Sequence, residues 1–197
     1  DAFVTEWDGN KDDAEFHFTD KPDDLREIGI NSVGHWSDTI AKEIQPKFVQ
    51  KKLAVEFDDF DFNILQFADV VTEEDVIIDN KTAGRSISLN KKSGNLIIPH
   101  DHRLQLTMYD IGYEVNEAVK AKGLGLDYLI KNKKPKVQQS RWKPNNQDRQ
   151  YVLGLMEHVA NGVKKEVFIP NRNSMLCSKK FCAYWQECEK KYGGKVK

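Results

Sequence analysis

Two short apolar runs, each carrying an aspartate, constrain this chain more than any other part of its sequence. Asp69 interrupts the first run, Asp79 ends the second run, Val76-Ile-Ile78, and a turn-like Thr72-Glu-Glu-Asp75 lies between them. β-Branched runs separated by turn-forming residues predict a hairpin. Side chains repeat every two residues along a strand, so we expect Lys81 on the same face as Asp79. The segment therefore predicts a hairpin with an acid on each strand and a lysine beside the second acid.

This set of side chains suits chemistry on a phosphate. Two carboxylates can hold a hard divalent cation such as Mg²⁺, and an ammonium can orient a water or stabilise charge that develops on a phosphate. The alternative is that Asp69, Asp79 and Lys81 are ordinary surface residues at strand ends. The apolar run before Asp79 predicts a buried strand. A carboxylate at its end is unfavourable unless it is paired or metal-bound, which favours the functional interpretation.

The remaining pattern predicts a mixed α/β domain with a small sheet covered by helices. Pro46 is expected to end the first predicted helix. An acidic stretch at Asp58–Asn63 resembles the start of a calcium loop, but its sixth and twelfth positions do not fit, so we interpret it as a hairpin turn. The predicted helices are Ser32–Phe48, His102–Lys122 and Gln147–Val163, and the predicted strands are Lys52–Phe57, Ile64–Val71, Val76–Asn80 and a weaker Arg85–Leu89, with Lys131–Lys143 either a strand or a mobile loop.

Charge is segregated along the chain. Residues 1–27 contain ten acids and three bases, whereas residues 131–197 contain sixteen bases and five acids. A basic region suits a phosphate backbone, although ordinary solvated lysines are the alternative. Trp142 could stack on an unpaired base or pack in the core. The candidate DNA-binding residues are Lys131, Lys133, Lys134, Lys136, Arg141, Trp142 and Lys143.

All three cysteines lie close together near the carboxyl end, at Cys177, Cys182 and Cys188. Their spacing lets three thiolates converge on an iron–sulfur cluster or a zinc ion. Three free structural thiols are the alternative, and a disulfide fits poorly with an intracellular chain. Either metal centre normally takes four ligands, so a histidine or a residue preceding Asp1 would complete it.

Together these elements resemble the PD-(D/E)XK nuclease superfamily, and within it the RecB-like exonucleases that carry a cysteine-ligated iron–sulfur cluster. This branch includes CRISPR-associated, AddB-type and phage exonucleases. The resemblance spans roughly residues 30 to 192. It rests on Asp69, on Asp79-Asn-Lys81, on Gln105-Leu-Thr-Met-Tyr109 and on the cysteine tail.

The resemblance implies a restriction-endonuclease-like core, a small mixed sheet flanked by helices, followed by a cysteine cluster. Residues 1–197 would then be a single nuclease domain, with a catalytic core at about 30–165 and a cysteine tail at 166–197. The expected cofactors are Mg²⁺ or Mn²⁺ and a [4Fe-4S] cluster, with Zn²⁺ as the alternative to the cluster. The expected partner is DNA, in the cytoplasm of a bacterial, archaeal or phage-infected cell.

The same resemblance assigns roles to individual residues. Asp69 and Asp79 would bind the divalent metal, and Lys81 would position or activate the attacking water. Gln105 and Tyr109, one helical turn apart, would contact DNA and order the catalytic centre. Without the resemblance, Tyr109 would be interpreted as a core residue.

Four further residues are additional candidates for the site. His35 and Glu56 are candidate additional metal ligands, and His35 is equally compatible with helix packing. His100 and His102 could line the site, but their His-Asp-His spacing is interpreted as an exposed loop before the helix. No run approaches the ~18 apolar residues of a membrane span, and no signal peptide is visible.

The predicted function is metal-dependent hydrolysis of DNA phosphodiester bonds by an exonuclease. One alternative is a DNA-binding or assembly module that keeps the nuclease fold without turnover. Another is a zinc-stabilised interaction domain in which the Asp-Lys pattern is incidental.

Overall fold

The computed structural model describes residues 2–14, 16, 21–56, 63–132, 134–172, 174 and 176–193. Apart from Asn63, the predicted acidic turn at 58–63 lies outside the described residues. The elements, in chain order, are α1 (Ala2–Asn10), α2 (Pro22–Thr39), a 3-10 turn (Ala41–Glu43), β1 (Pro46–Val55), β2 (Ile64–Thr72), β3 (Val76–Ala83), α3 (His100–Glu117), β4 (Gly123–Ile130), β5 (Lys136–Trp142), α4 (Asn146–Lys164) and α5 (Trp185–Tyr192).

Helix α2 begins earlier and ends earlier than the predicted helix at Ser32–Phe48. It starts with Pro22, whose fixed φ suits the first helical turn, and Asp23 and Asp24 favour the positive end of the helix dipole. Pro46 does not end a helix; it opens strand β1. A proline disfavours helical backbone in the residue before it, so the chain is already extended there, and Phe48 contributes to β1 and packs against the core.

The five strands form one sheet in the order β1-β2-β3-β4-β5. The predicted hairpin is confirmed, because β2 and β3 pair antiparallel with Val70 opposite Ile78. Strands β3 and β4 pair in parallel, and the other neighbouring pairs are antiparallel. A parallel pair needs a crossover connection, which here contains α3. The predicted architecture, a mixed sheet flanked by helices, is therefore confirmed.

The core lies between α3 and the sheet. Leu106 and Tyr113 of α3 are fully buried with Leu53, Ile77 and Leu126 from three different strands. Burying side chains of this size contributes roughly 1.5–3 kcal/mol each. The helix begins and ends earlier than the predicted His102–Lys122: it ends at Glu117, and the left-handed backbone of the following Ala118 lets the chain turn into β4. This packing fixes α3 across strands β1 to β4 of the sheet.

The hairpin turn is held by a buried ion-pair network around Asp75. Its carboxylate lies 2.9 Å from Lys47 Nζ and 3.2 Å from Lys122 Nζ, and it accepts a 2.9 Å hydrogen bond from the Tyr113 hydroxyl. The Lys47 hydrogen bond, and then that of Tyr113, lower the pKa of Asp75 to about 2. These contacts connect the turn to β1 and α3, which fixes the position of the β2–β3 hairpin.

A second buried ion pair spans β4 and β5. Asp127 is fully buried, and its Oδ1 lies 2.6 Å from Arg141 Nη1. The arginine side chain crosses β4 at Gly125, where an added Cβ would lie 2.8 Å from Arg141 Cδ. Glycine at this position therefore leaves the space that the arginine needs to reach the aspartate.

The chain divides into two compact units, Asp1–Leu153 and Gly154–Lys197. The first unit contains the sheet. The second contains the cysteines and α5, where Tyr192 donates a 2.9 Å hydrogen bond to the Phe168 carbonyl. No helix in the described part of the chain is long and apolar enough to cross a membrane.

Candidate active site

Asp79 and Lys81 lie side by side on the face of β3 that α3 covers. Two-residue strand periodicity places both side chains on this face, and Lys81 Nζ is 2.8 Å from Asp79 Oδ2. The aspartate is only 2% exposed. The structure therefore places a nearly buried acid and a lysine together, as the sequence predicted.

Lys81 is also the first member of a chain of polar contacts that leads onto α3. Its ammonium donates a 2.8 Å hydrogen bond to Gln105 Oε1, and Gln105 Nε2 donates a 2.6 Å hydrogen bond to the Tyr109 hydroxyl. The four-residue separation of Gln105 and Tyr109 puts them on one helix face, one turn apart. Tyr109 is also part of the core, so the packing role and the site role occur in the same residue.

Asp69 joins this site from the neighbouring strand. Its Oδ2 accepts a 2.9 Å hydrogen bond from the Asn80 backbone N–H, and its Oδ1 accepts one of 3.2 Å from Gln50 Nε2. The first contact holds the carboxylate against the residue that lies between Asp79 and Lys81. Gln50 was not predicted; its left-handed backbone, with φ of 50°, is an irregularity in β1 that sequence patterning does not reveal.

The electrostatic balance of the site disfavours negative charge. Burial raises the pKa of Asp79, although the adjacent Lys81 ammonium opposes this effect. The Asp69 carboxylate raises the pKa of Asp79 further, and His102 lowers it. Burial also raises the pKa of Tyr109, with the charges of the two aspartates adding to the shift. A positive ion between the carboxylates would relieve this imbalance.

His102 and Tyr128 extend the site beyond Lys81. His102 Nδ1 lies 2.8 Å from the Tyr128 hydroxyl, and Tyr128 is the residue of β4 directly opposite Lys81. Burial raises the pKa of Tyr128 to about 12, so its hydroxyl stays protonated at neutral pH. The prediction of an exposed loop for His102 is wrong, because α3 begins at His100. Tyr128 was missed because β4 was not predicted.

The other two candidate metal ligands are not brought to the aspartates. His35 lies on α2, and Glu56 follows the end of β1, where it accepts a 3.4 Å hydrogen bond from Asn63. Asp69 instead lies beside Gln50, about 20 Å along β1 from Glu56 at strand spacing. Within the described ranges, no three His, Cys, Asp or Glu side chains group as a metal site. Asp69 and Asp79 are therefore the two carboxylates that remain candidate ligands of a divalent ion.

The candidate DNA-binding residues lie at different places on the first unit. Lys136 opposes Ile130 at one end of β4, whereas Trp142, next to Lys143, opposes Leu124 about 20 Å away at strand spacing. Lys131, Lys134, Lys136 and Lys143 are exposed, and Lys133 lies outside the described residues.

Arg141 and Trp142 have other contacts. Arg141 pairs with the buried Asp127. Trp142 packs against the hydrophobic core, which favours the second of its two interpretations. The four exposed lysines are therefore the more accessible candidates for a phosphate contact.

In the second unit, Cys177, Cys182 and Cys188 all line one apolar cavity of about 740 Å³, together with Trp185 and Tyr192. None of the three forms a disulfide. The Cys182 N–H donates to the Ser178 carbonyl at 2.8 Å, and the Cys188 N–H donates to the Tyr184 carbonyl at 3.0 Å. The three cysteines thus line one cavity, but among the described residues they do not group as the ligands of one metal, and the metal centre stays a prediction.

A divalent ion fits the residues of the first unit on one specific observation. Asp79 Oδ2 is buried and receives no well-directed hydrogen bond, although Lys81 Nζ lies close to it. A buried carboxylate oxygen left in this state favours a cationic partner. Oxygen ligands from Asp79 and Asp69 match the preference of Mg²⁺ and Mn²⁺.

No family model and no curated protein matches the sequence. Among solved structures, the chain is similar to a "putative exonuclease" from Eubacterium rectale, with 14% identity and a TM-score of 0.61, covering 94% of this chain and 71% of that one. A structure of SSO0001 has 16% identity over 81% of this chain and 67% of the other, with a TM-score of 0.48. At this identity the first likeness concerns the fold alone: this chain shares the fold of that protein.

Proposed function

We propose that this protein is a metal-dependent deoxyribonuclease with exonuclease action. One observation carries the proposal: Asp69, Asp79, Lys81, Gln105 and Tyr109 meet in one connected site on β2, β3 and α3. These are the residues on which the resemblance to RecB-like PD-(D/E)XK nucleases rests. The nuclease-like fold supports the same activity class.

Asp69 and Asp79 would hold Mg²⁺ or Mn²⁺ in this proposal. The ion would supply Lewis-acid polarisation of a phosphate oxygen and a bound water of lowered pKa. The chain's own residues position the reaction. The Asn80 N–H and Gln50 fix the orientation of Asp69, and burial excludes water from Asp79.

Lys81 would stabilise the charge that develops on the scissile phosphate. Its ammonium is fixed by Asp79 on one side and by Gln105 on the other, so it requires little rearrangement during the reaction. Tyr109 holds the Gln105 amide in place. Tyr128 lies on the next strand, β4, in contact with His102 of α3, and these two side chains would contact the substrate next to the scissile bond.

The substrate would be DNA, bound in part through the exposed lysines at 131, 134, 136 and 143. We also propose that the cysteine cavity of the second unit holds a [4Fe-4S] cluster, with Zn²⁺ as the alternative. Anaerobically purified protein should then be brown and contain iron. A colourless protein loaded with zinc would favour the alternative, and a metal-free protein would contradict both.

The nuclease proposal is tested with labelled DNA in the presence of Mg²⁺ or Mn²⁺. We expect Asp79→Ala and Lys81→Ala each to reduce degradation by about a hundredfold to a thousandfold, the scale on which loss of a central electrostatic group acts. Asp75→Asn is the matched control, because Asp75 lies in the same hairpin but outside the site. Circular dichroism would verify that each variant is folded.

Unchanged degradation in folded Asp79→Ala protein would overturn the proposal. Wild-type protein that binds DNA with a steep salt dependence but cuts none with any divalent ion would support the silent binding module instead.

A further inference from the structure

His102 shares one face of α3 with two residues of the candidate active site. It lies three residues before Gln105 and seven before Tyr109, and this spacing places the three side chains in one stripe along the helix. Gln105 contacts Lys81. Burial raises the pKa of Asp79, and the charge of His102 is one of the effects that lower it. The His102 ring therefore lies at the same site as the two polar residues that follow it on the helix.

Tyr128 occupies one nitrogen of this ring. Its hydroxyl lies 2.8 Å from His102 Nδ1, and the two ring centroids are 5.7 Å apart. Tyr128 is only 1% exposed, and among the described residues no other side chain hydrogen-bonds to its hydroxyl. Burial, and then the charges of Asp101 and Asp79, raise the pKa of Tyr128 to about 12, so the hydroxyl keeps its proton at neutral pH.

This contact selects one tautomer of His102. A buried hydroxyl that keeps its proton donates it to an acceptor, and the acceptor here is His102 Nδ1. A neutral imidazole that accepts at one nitrogen carries its own proton on the other. The proton of His102 is therefore on Nε2, which makes that atom a hydrogen-bond donor.

This donor atom is available to a ligand. No residue in the described ranges hydrogen-bonds to His102 Nε2, and the atom is not buried, so it can bond to a group that enters from solvent. Lys81, Gln105 and His102 are half-buried, whereas Asp79 and Tyr128 are almost fully buried. A substrate can therefore reach the Lys81 ammonium and the His102 ring from the open side of the site.

We propose that His102 is a catalytic residue whose neutral imidazole donates an Nε2–H hydrogen bond to an oxygen of the scissile phosphate. Tyr128 fixes the tautomer and the orientation of the ring. No proton is transferred in this role. The ring stabilises the negative charge that develops on the phosphate, beside the Lys81 ammonium. The inference rests on the proposed nuclease function and assigns one further group to its site.

Two substitutions separate a catalytic donor from a structural contact. Both introduce an amide donor, but the longer glutamine places it near the position of Nε2 and the shorter asparagine near that of Nδ1. On labelled DNA, His102→Asn should reduce kcat by about a hundredfold, the scale of one lost oxyanion donor, although it can keep the bond to Tyr128. His102→Gln loses that bond and should keep most of the activity. A purely structural role of His102 predicts the reverse order.

The tautomer is measured directly by ¹⁵N NMR of the imidazole rings at about pH 8, where an ordinary imidazole is neutral. The chain has five histidines, so the His102 signals are identified by their disappearance from His102→Gln protein. Wild-type His102 should carry its proton on Nε2. Tyr128→Phe should populate the Nδ1–H form and lower kcat, but should have no further effect in the His102→Gln background, because the two residues act through one contact.

Thermal melting verifies that each variant is folded. An active wild type in which folded His102→Asn retains its kcat, or raises KM alone, would overturn the inference and leave the nuclease proposal intact. A proton on Nδ1 of the wild-type ring would overturn the inference as well. If the wild type cuts no DNA with any divalent ion, the nuclease proposal fails, and the catalytic role of His102 fails with it.

Discussion

Asp75 and Asp79 lie four residues apart in one hairpin, and both are buried, yet their surroundings shift their pKa values in opposite directions. Asp75 has two lysines and a tyrosine hydroxyl around it, which lower its pKa to about 2. Asp79 has one lysine and a neighbouring carboxylate, and burial raises its pKa. Partners within the fold compensate the charge of the Asp75 carboxylate, whereas the Asp79 carboxylate is incompletely compensated and can still bind a cation.

The largest expected difference between the two aspartates is in metal-dependent stability. Mn²⁺ at about 100 times its dissociation constant should stabilise the wild type by about 2.7 kcal/mol, because the ion binds the folded state. Asp75→Asn should retain this gain, and Asp79→Asn should lose most of it. Thermal melting with and without Mn²⁺ measures the effect. An equal gain in all three proteins would place the ion away from Asp79.

The same two substitutions should change metal-free stability in opposite directions. Asp75→Asn should destabilise the fold by about 2 kcal/mol, because it weakens hydrogen bonds made to a charged group; asparagine tolerates the left-handed backbone at this position. Asp79→Asn should stabilise the fold by about 1 kcal/mol, because it removes a poorly compensated buried charge. Urea unfolding in EDTA measures both changes in the free energy of unfolding. Changes of the same sign in the two variants would contradict the prediction.

The smallest expected effect is a difference in pH dependence, also measured in EDTA. Asp75 has a lowered pKa, so its stabilisation is present above the ordinary aspartate pKa and is lost as pH falls towards about 2. Asp79 has a raised pKa, so stability falls as pH rises through that pKa. The deficit of Asp75→Asn should therefore shrink in acid, and the advantage of Asp79→Asn should grow towards neutral pH. Parallel stability curves for the two variants would contradict this.

The sequence predicts local geometry better than it predicts long-range pairing. The β2–β3 hairpin, the shared face of Asp79 and Lys81, and the shared face of Gln105 and Tyr109 all follow from strand or helix periodicity. The mixed sheet flanked by helices was expected from the resemblance and is confirmed by the structure.

The errors occur where a distant partner decides the structure. Strand β4 was missed because its glycines and Asp127 lower β propensity, and only Arg141 and the neighbouring strands make them favourable. Because β4 was not predicted, Tyr128 on that strand and its contact with His102 were also missed. Glu56 was assigned to the metal site because the resemblance implies an acid on the first strand. Strand β1 contacts Asp69 at Gln50, however, and Glu56 lies beyond the far end of that strand.

Gly125 has a consequence for how this protein can tolerate mutation. A larger residue there would push the flexible Arg141 side chain aside, and the fully buried Asp127 would lose its arginine and keep only the 3.2 Å hydrogen bond from Gln139. Leaving a buried charge unpaired costs about 3–5 kcal/mol, a large fraction of the stability of an ordinary domain. In a saturation mutagenesis screen, position 125 should therefore behave like an essential residue although it makes no contact with substrate. Its sensitivity should disappear only in a background where Asp127 has also become neutral.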